Sequence, residues 1–304
     1  MKTRALIIAA LCIMVLASSL MGAEPYLYGK DQTLIGHVQI YPVKEGESLI
    51  EIARHFDLGF NEIADANPSL DAFVPGTDAS VTIPSSWVLP DVEPQGGIVI
   101  NLSEMRLYYL YEQGKSKMVR THPIGIGDEG TDTPVGTFRV IQKAVNPVWY
   151  VPESIRREKP ELPRAVPPGP ENPLGSHALR LSLGSILIHG TNKPFGVGRK
   201  VSHGCIRLYP EDIPKLYGVV PNGARVTIVR QPVKVGARDN RVYIEIHKDE
   251  KLKDLNYFNE TVRILTKKGF LKDVDMEKVY AAVEENSGIP VDITLEEKEG
   301  SKSF

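Results

Sequence analysis

Cysteine is almost absent: the 304 residues hold two, Cys12 and Cys205. Cys12 falls in an N-terminal segment read as a secretory leader, residues 1–23. Lys2 and Arg4 give it a positive start, Ala5 to Ala17 an apolar run, and Ala17-Ser18-Ser19 or Gly22-Ala23 a cleavage site. The run is shorter than the roughly 20 residues that span a bilayer, and no cysteine follows it to carry lipid. Removal of the leader leaves one thiol, so the mature chain forms no internal disulfide. A lone thiol outside the cytoplasm risks oxidation and calls for a reason, either chemistry or packing. Excess positive charge is absent too. The formal charge of -2 argues against a nucleic-acid partner, and no zinc-finger pattern, Walker loop or arginine-rich arm is present.

The remaining thiol sits in Val201-Ser202-His203-Gly204-Cys205-Ile206-Arg207-Leu208. On an extended backbone, alternation puts His203, Cys205 and Arg207 on one side and turns Ile206 and Leu208 toward a core. A thiol, an imidazole and a fixed cation in one cleft suit acyl transfer through a thioester. Gly204 permits close backbone approach, with neighbouring N–H groups as oxyanion donors. The bland alternative is a buried structural cysteine beside a surface histidine. His189, His203 and Cys205 also match zinc ligands in type, but zinc would tie up the thiolate; no metal and no cofactor are expected.

A composition 42% hydrophobic and 24% charged is globular and supports several domains at this length. After a polar, Tyr- and Gly-containing stretch, residues 37–87 read as strand, helix, helix, strand, an α+β (βααβ) unit. Ser48 and Glu51 have capping-box spacing, and Leu49, Ile52, Ala53 and Phe56 make one apolar helix face. Asn61 is the expected cap of the second helix, which Pro68 closes. Residues 88–95 read as a semi-rigid linker. Residues 96–231 carry many short strands and few helices, a mostly β domain. Within it, 105–111 and 116–124 read as a half-exposed hairpin, and the glycine-rich 125–136 as a turn scaffold beside the site. Residues 146–176 form a prolyl loop, either a lid or a peripheral insertion. Its Trp149 and Tyr150 either contact substrate or pin the loop. The tail, 232–304, shows a strand at 241–246 and helical stretches near 259–268 and 275–285, an α/β appendage with no assigned work.

Two resemblances follow from these residues. Tyr41, Val43, Gly46, Ser48, Leu49, Ile52, Ala53, Asn67-Pro68, Gly76, Val81 and Ile83-Pro84 resemble the LysM family, which implies affinity for N-acetylglucosamine-containing glycan. His189-Gly190 with Ser202-His203-Gly204-Cys205-Ile206-Arg207, and Thr133-Pro134-Val135-Gly136-Thr137-Phe138 before them, resemble the YkuD-type L,D-transpeptidases. That resemblance implies a β-sandwich catalytic domain with Cys205 as nucleophile and His203 as its proton acceptor. It implies His189 and Gly190 lining the opposite wall and Ser202 orienting the imidazole. Arg207 would hold a substrate carboxylate, and amides near Gly204 and Cys205 the oxyanion. The implied donor is the peptidoglycan tetrapeptide stem, cut before its terminal D-alanine. The implied acceptor is another stem (a 3→3 crosslink), a lysine of an outer-membrane lipoprotein, or water, which would make a carboxypeptidase. The location implied is the periplasm or cell envelope. A non-catalytic wall-binding protein is the reading of a different class.

Overall fold

Nine strands form one mixed sheet at the centre of the computed structural model, which describes residues 24–93 and 96–296. The expected leader, residues 1–23, lies outside the described residues. In spatial order the strands are Tyr26–Leu27, Ser116–Pro123, Arg106–Gln113, Gly97–Asn101, Arg225–Val229, Gly136–Val145, His177–Leu181, Leu187–His189 and Ile206–Arg207. Pairing is antiparallel except between Gly97–Asn101 and Arg225–Val229, and between Leu187–His189 and Ile206–Arg207. Ile98, Ile100 and Leu107 share one buried cluster with Leu179, Ile188 and Ile206, which lie several strands away. The sheet therefore curls around a core, rather than splitting into the two facing layers that a sandwich implies. The helix Ile213–Val219 contributes Ile213 and Leu216 to the same cluster.

The opposite face of the sheet is also covered. Val99, Tyr108, Leu110 and Val119 alternate with the core residues and pack against Leu49, Ile52, Leu58, Ile63 and Trp87 of the N-terminal unit. Burial on both faces explains the nearly continuous apolar run. It also corrects the half-exposed hairpin expected at 105–124: Arg106 to Leu110 are all buried.

The N-terminal unit has the predicted order, with strand Gln39–Pro42 antiparallel to Ser80–Ile83 and helices α1 (Leu49–His55) and α2 (Phe60–Asp65) between them. Ser48 and Glu51 form the capping box, and Leu49, Ile52 and Ala53 are the buried face. Asn61 does not cap α2. The cap is Gly59, whose N–H donates to Glu62 Oε2 at 2.7 Å, while Asn61 Nδ2 donates to the Glu104 carbonyl.

Two stretches read as polar or linking are woven into the structure. Tyr26–Leu27 extends the edge of the large sheet, and Leu34–Gly36 pairs with Ser86–Val88. The supposed linker 88–95 starts with buried Val88 and Leu89, and the Val88 N–H donates to Glu245. The tail adds a strand that the sequence reading missed. Val233–Arg238 pairs with Arg241–Ile246 through Asp239-Asn240, both left-handed, the geometry of a tight hairpin turn. Helices α5 (Tyr257–Lys268) and α6 (Met276–Glu285) close a separate core over this sheet with Leu265 and Val279.

Charges buried between these units fasten them together. Arg106 donates from Nε and Nη2 to the two Glu62 oxygens at 2.8 and 2.9 Å, and from Nη2 to the Asp57 carbonyl. Glu62 also accepts from Trp87 Nε1, and the guanidinium lies 4.0 Å from the Trp87 ring centroid. On the tail side, Lys234 Nζ contacts Glu104 at 2.6 Å and Glu245 at 2.8 Å. Removing one partner strands a desolvated charge, which typically costs about 3–5 kcal/mol. Arg106→Met should therefore lower stability by about that amount in urea denaturation. Adding Glu62→Gln should recover part of the loss, since the orphaned carboxylate is the source of the penalty. A single variant that unfolds at the parental midpoint would contradict this account.

Candidate active site

The end of Leu187–His189 lies beside Ile206–Arg207, with His189 directly opposite Arg207 in parallel register. Cys205 immediately precedes that strand. Together with Ser202, His203, Ser185, Leu187 and Arg180 they line a cavity of about 160 Å³. The prolyl segment supplies the facing wall through Val148, Trp149, Tyr150, Pro152, Ile155, Pro173 and Leu174. Of the two readings of that loop, the lid is the one that fits.

The lid has structure that proline content concealed. Trp149–Tyr150 pairs with Ala165–Val166, and a short helix α3, Glu153–Glu158, crosses between them. (Numbered by position in the chain, Ile213–Val219 is then α4.) Asn172, fully buried, donates from Nδ2 to the carbonyls of Pro147, Val166 and Pro167. Asn172 and the small ladder thus pin the loop. Tyr150 takes part in that ladder through its backbone, and the residue is left 76% exposed at the cavity edge.

The turn that presents Cys205 is held by the glycine-rich loop. Gly204 has φ +92, a left-handed backbone that favours glycine, whereas a Cβ there would only crowd the tip of the Ile186 side chain, at 3.0 Å. Thr133 Oγ1 accepts from the Gly127 N–H and donates to the Gly204 carbonyl at 3.0 Å. Ser202 Oγ donates to the Cys205 carbonyl at 2.6 Å, while the Ser202 carbonyl accepts from Asp128 N–H and Thr131 Oγ1. Ser202 therefore shapes the turn, and its carbonyl is occupied there rather than on an imidazole. Thr133 lay inside a motif but was not read as part of the site; its tie to the catalytic turn is a contact 71 residues away.

The two histidines differ sharply. His203 is exposed, with Nε2 3.3 Å from Glu158 Oε2 at the end of α3. His189 is 3% exposed, and its Nδ1 lies 2.5 Å from the Gly190 carbonyl. A carbonyl only accepts, so Nδ1 carries the proton and Nε2 keeps a lone pair. Burial, reinforced by the Arg207 charge, depresses the His189 pKa to about 4. His189 is therefore neutral near pH 7.

The thiol is likewise held in its neutral form. Burial pushes the Cys205 pKa up, opposed in part by the Leu187 N–H and by the Arg207 and Arg180 charges. The resting groups are a thiol and a neutral imidazole. Arg207 is partly buried with its Nε unpartnered, a cation available to the cavity. Iodoacetamide alkylation of Cys205 should accordingly titrate with a midpoint above the ordinary thiol value of about 8.5. Arg207→Gln should raise it further, because the guanidinium favours the thiolate. A midpoint at or below 8.5, or a downward move in the variant, would show that the charge balance is misjudged.

Comparison with known proteins agrees with this arrangement. The YkuD family model, an L,D-transpeptidase catalytic domain, matches residues 95–228. The chain is 40% identical over 275 residues to the probable L,D-transpeptidase YcfS of Escherichia coli (strain K12), covering 86% of this chain and 85% of that protein. It is 35% identical over 305 residues to the probable L,D-transpeptidase YbiS of the same strain, covering 96% and 98%. Against the probable L,D-transpeptidase ErfK/SrfK of Salmonella typhimurium (strain LT2) the identity is 36% over 265 residues, covering 83% and 84%. With the family's signature on one cavity and relatives matched over most of their length, the chain belongs to the L,D-transpeptidase family, as a cysteine-dependent enzyme.

Proposed function

We propose that this enzyme transfers the acyl group of a peptidoglycan tetrapeptide stem to an amine, with Cys205 as nucleophile and His189 as general base. The observation that carries the reading is His189: buried, neutral, fixed at Nδ1 by the Gly190 carbonyl, and on the cavity that Cys205 and Arg207 also line. His203, the base suggested by the motif alone, is assigned instead to the cavity rim, where it meets Glu158.

The steps follow from those positions. Cys205 Sγ attacks the carbonyl between the L-centre of the third-position diamino acid and the terminal D-alanine, and the thiol proton passes to His189 Nε2. Backbone N–H groups around Gly204 and Cys205 hold the oxyanion. The C–N bond breaks, His189 returns the proton to the departing D-alanine amine, and a thioester remains. An acceptor amine then attacks and gives its proton to His189. The C–S bond breaks, and the expelled thiolate takes that proton from His189, which restores the resting thiol and neutral imidazole. Arg207 holds a stem carboxylate, with Trp149 and Tyr150 against the peptide. The acceptor is the diamino acid of another stem, forming a 3→3 crosslink, or a lipoprotein lysine; the narrow cleft disfavours water. This chemistry belongs to the periplasm or cell envelope.

The N-terminal unit is read as a LysM module that holds glycan strands near the cavity. Support comes from its strand–helix–helix–strand order and from Phe73 and Val74, exposed apolar side chains in the loop before Ser80–Ile83. Intact Cys205→Ala protein should sediment with peptidoglycan, and Phe73→Ala with Val74→Ala should release it. Retention by both forms alike would remove this loop from the interface.

Mass spectrometry with tetrapeptide stems and with a carbapenem tests the chemistry. Loss of D-alanine and an adduct on Cys205 are expected, both absent in Cys205→Ala. General bases contribute roughly 10²–10⁴-fold, so His189→Gln should lower turnover by that factor and His203→Gln by less than tenfold. The reverse order would return the base role to His203. Products formed with and without a lipoprotein acceptor separate crosslinking, anchoring and hydrolysis.

A further inference from the structure

Away from the catalytic cavity, Asp57, His122 and Asp212 bring three metal-ligating side chains within 4.8 Å of one another. They come from three places: Asp57 follows α1, His122 lies on Ser116–Pro123, and Asp212 is the N-cap of α4. His122 and Asp212 are 1% and 2% exposed. Both ring nitrogens of His122, both carboxylate oxygens of Asp57 and Oδ2 of Asp212 are buried without a hydrogen-bond partner. Buried polar groups normally find one.

The spacing explains why they do not find one another. His122 Nδ1 lies 3.5 Å from Asp57 Oδ2 and 3.7 Å from Asp212 Oδ1, too far for good hydrogen bonds. Ligand atoms about 2.0–2.2 Å from a tetrahedral zinc ion sit about 3.3–3.6 Å apart. Asp212 Oδ1 is shared with Lys215 Nζ at 3.0 Å, and Asp212 makes no side-chain cap bond. Asp57 holds a left-handed backbone, φ 55, unusual for a residue other than glycine. A cavity of about 430 Å³ opens beside Asp57 and Asp212, a route to a fourth coordination position.

A second cluster in the same protein gives the contrast. Glu104, Glu245 and His247 also converge, but there the Lys234 ammonium lies 2.6 and 2.8 Å from the two carboxylates. That cluster has a buried cation built into the chain. At Asp57, His122 and Asp212 no lysine sits between the carboxylates among the described residues; Lys215 binds Asp212 from the rim, one-third exposed. The buried positive charge is that of His122 itself, whose pKa, against the effect of burial, the two carboxylates raise to about 9, so a bound metal ion takes the place of that proton.

We propose that Asp57, His122 and Asp212 bind a divalent transition-metal ion of the zinc class, which fastens the N-terminal unit to the catalytic sheet and to α4. One imidazole and two carboxylates suit zinc, with the fourth position toward the cavity. The site is separate from the acyl-transfer machinery.

The test uses the full mature chain carrying Cys205→Ala, so that the thiol contributes no zinc. After stripping with EDTA, calorimetric titration with zinc should show one equivalent bound. The melting temperature should be several degrees higher with zinc than with EDTA. His122→Gln should weaken binding at least tenfold and erase the shift. Asp57→Asn, which keeps a residue tolerant of the left-handed backbone, gives the same readout if the His122 variant does not fold. Cobalt(II) in place of zinc should give visible bands of a low-coordinate ion that Asp57→Asn loses. Failure of the Cys205→Ala parent to bind zinc or to melt differently with it would overturn the proposal. So would equal zinc affinity in Asp57→Asn.

Discussion

A guanidinium with no access to water governs how this molecule is put together. Arg106 sits in the middle of the large sheet, and its charge is tolerable only because Glu62 reaches it from α2 with both carboxylate oxygens. Neither residue can leave without stranding the other, so the N-terminal unit cannot slide or detach without a large penalty. Apolar packing of Leu58, Ile63 and Trp87 supplies contact area but little direction; the bidentate pair supplies the direction. Glu104, on the turn just before Arg106, plays the matching part toward the tail through Lys234. Units that sequence alone would join by a semi-rigid linker thus hold one fixed geometry about the sheet that carries the site.

That sheet does the same for the chemistry. Parallel register sets His189 opposite Arg207, and the curl brings both under the prolyl lid. The electrostatics then favour delayed activation. A protonated thiol is a poor nucleophile and a poor target for oxidants, which suits the location proposed for the enzyme. In the proposed mechanism the thiol proton moves to an imidazole that burial and Arg207 make a reluctant base and therefore, once protonated, a strong acid. Such an acid readily hands its proton to a departing amine. On that proposal, the same depressed basicity that slows the first transfer assists the second.

Much of this was legible in the sequence. The capping box at Ser48 and Glu51, the buried face of α1, the tail helices and the acyl-transfer signature all follow from local spacing, and local spacing survives folding. Alternation across 203–207 rightly gathers His203, Cys205 and Arg207 on one cavity, although its premise of a continuous extended backbone fails at Gly204, φ +92. What it could not show is that His203 lies exposed beside Glu158. His189 entered through a pairing between segments well separated in the chain, which no periodicity records. Arg106 failed as a signal for a related reason: a charged residue reads as exposure unless its partner, here 44 residues away, is known. The missed hairpin at 233–246 is a different case, since Asp239-Asn240 is a recognisable left-handed turn that went unused.

The lid shows how these levels combine. Its base is held by a fully buried asparagine that serves three carbonyls, an arrangement that cannot be half undone without leaving polar groups dry. Its outer end meets the catalytic turn through His203 and Glu158, both exposed, and an exposed pair of this kind contributes at most about 1 kcal/mol. A loop anchored firmly at one end and lightly at the other yields at the light end. The point of weakest attachment is therefore the rim beside Tyr150 and His203. The stem peptide of the proposed reaction would enter there, while the hydrogen bonds that hold the catalytic turn run to Thr133 and Ser202 instead of to His203 or Glu158.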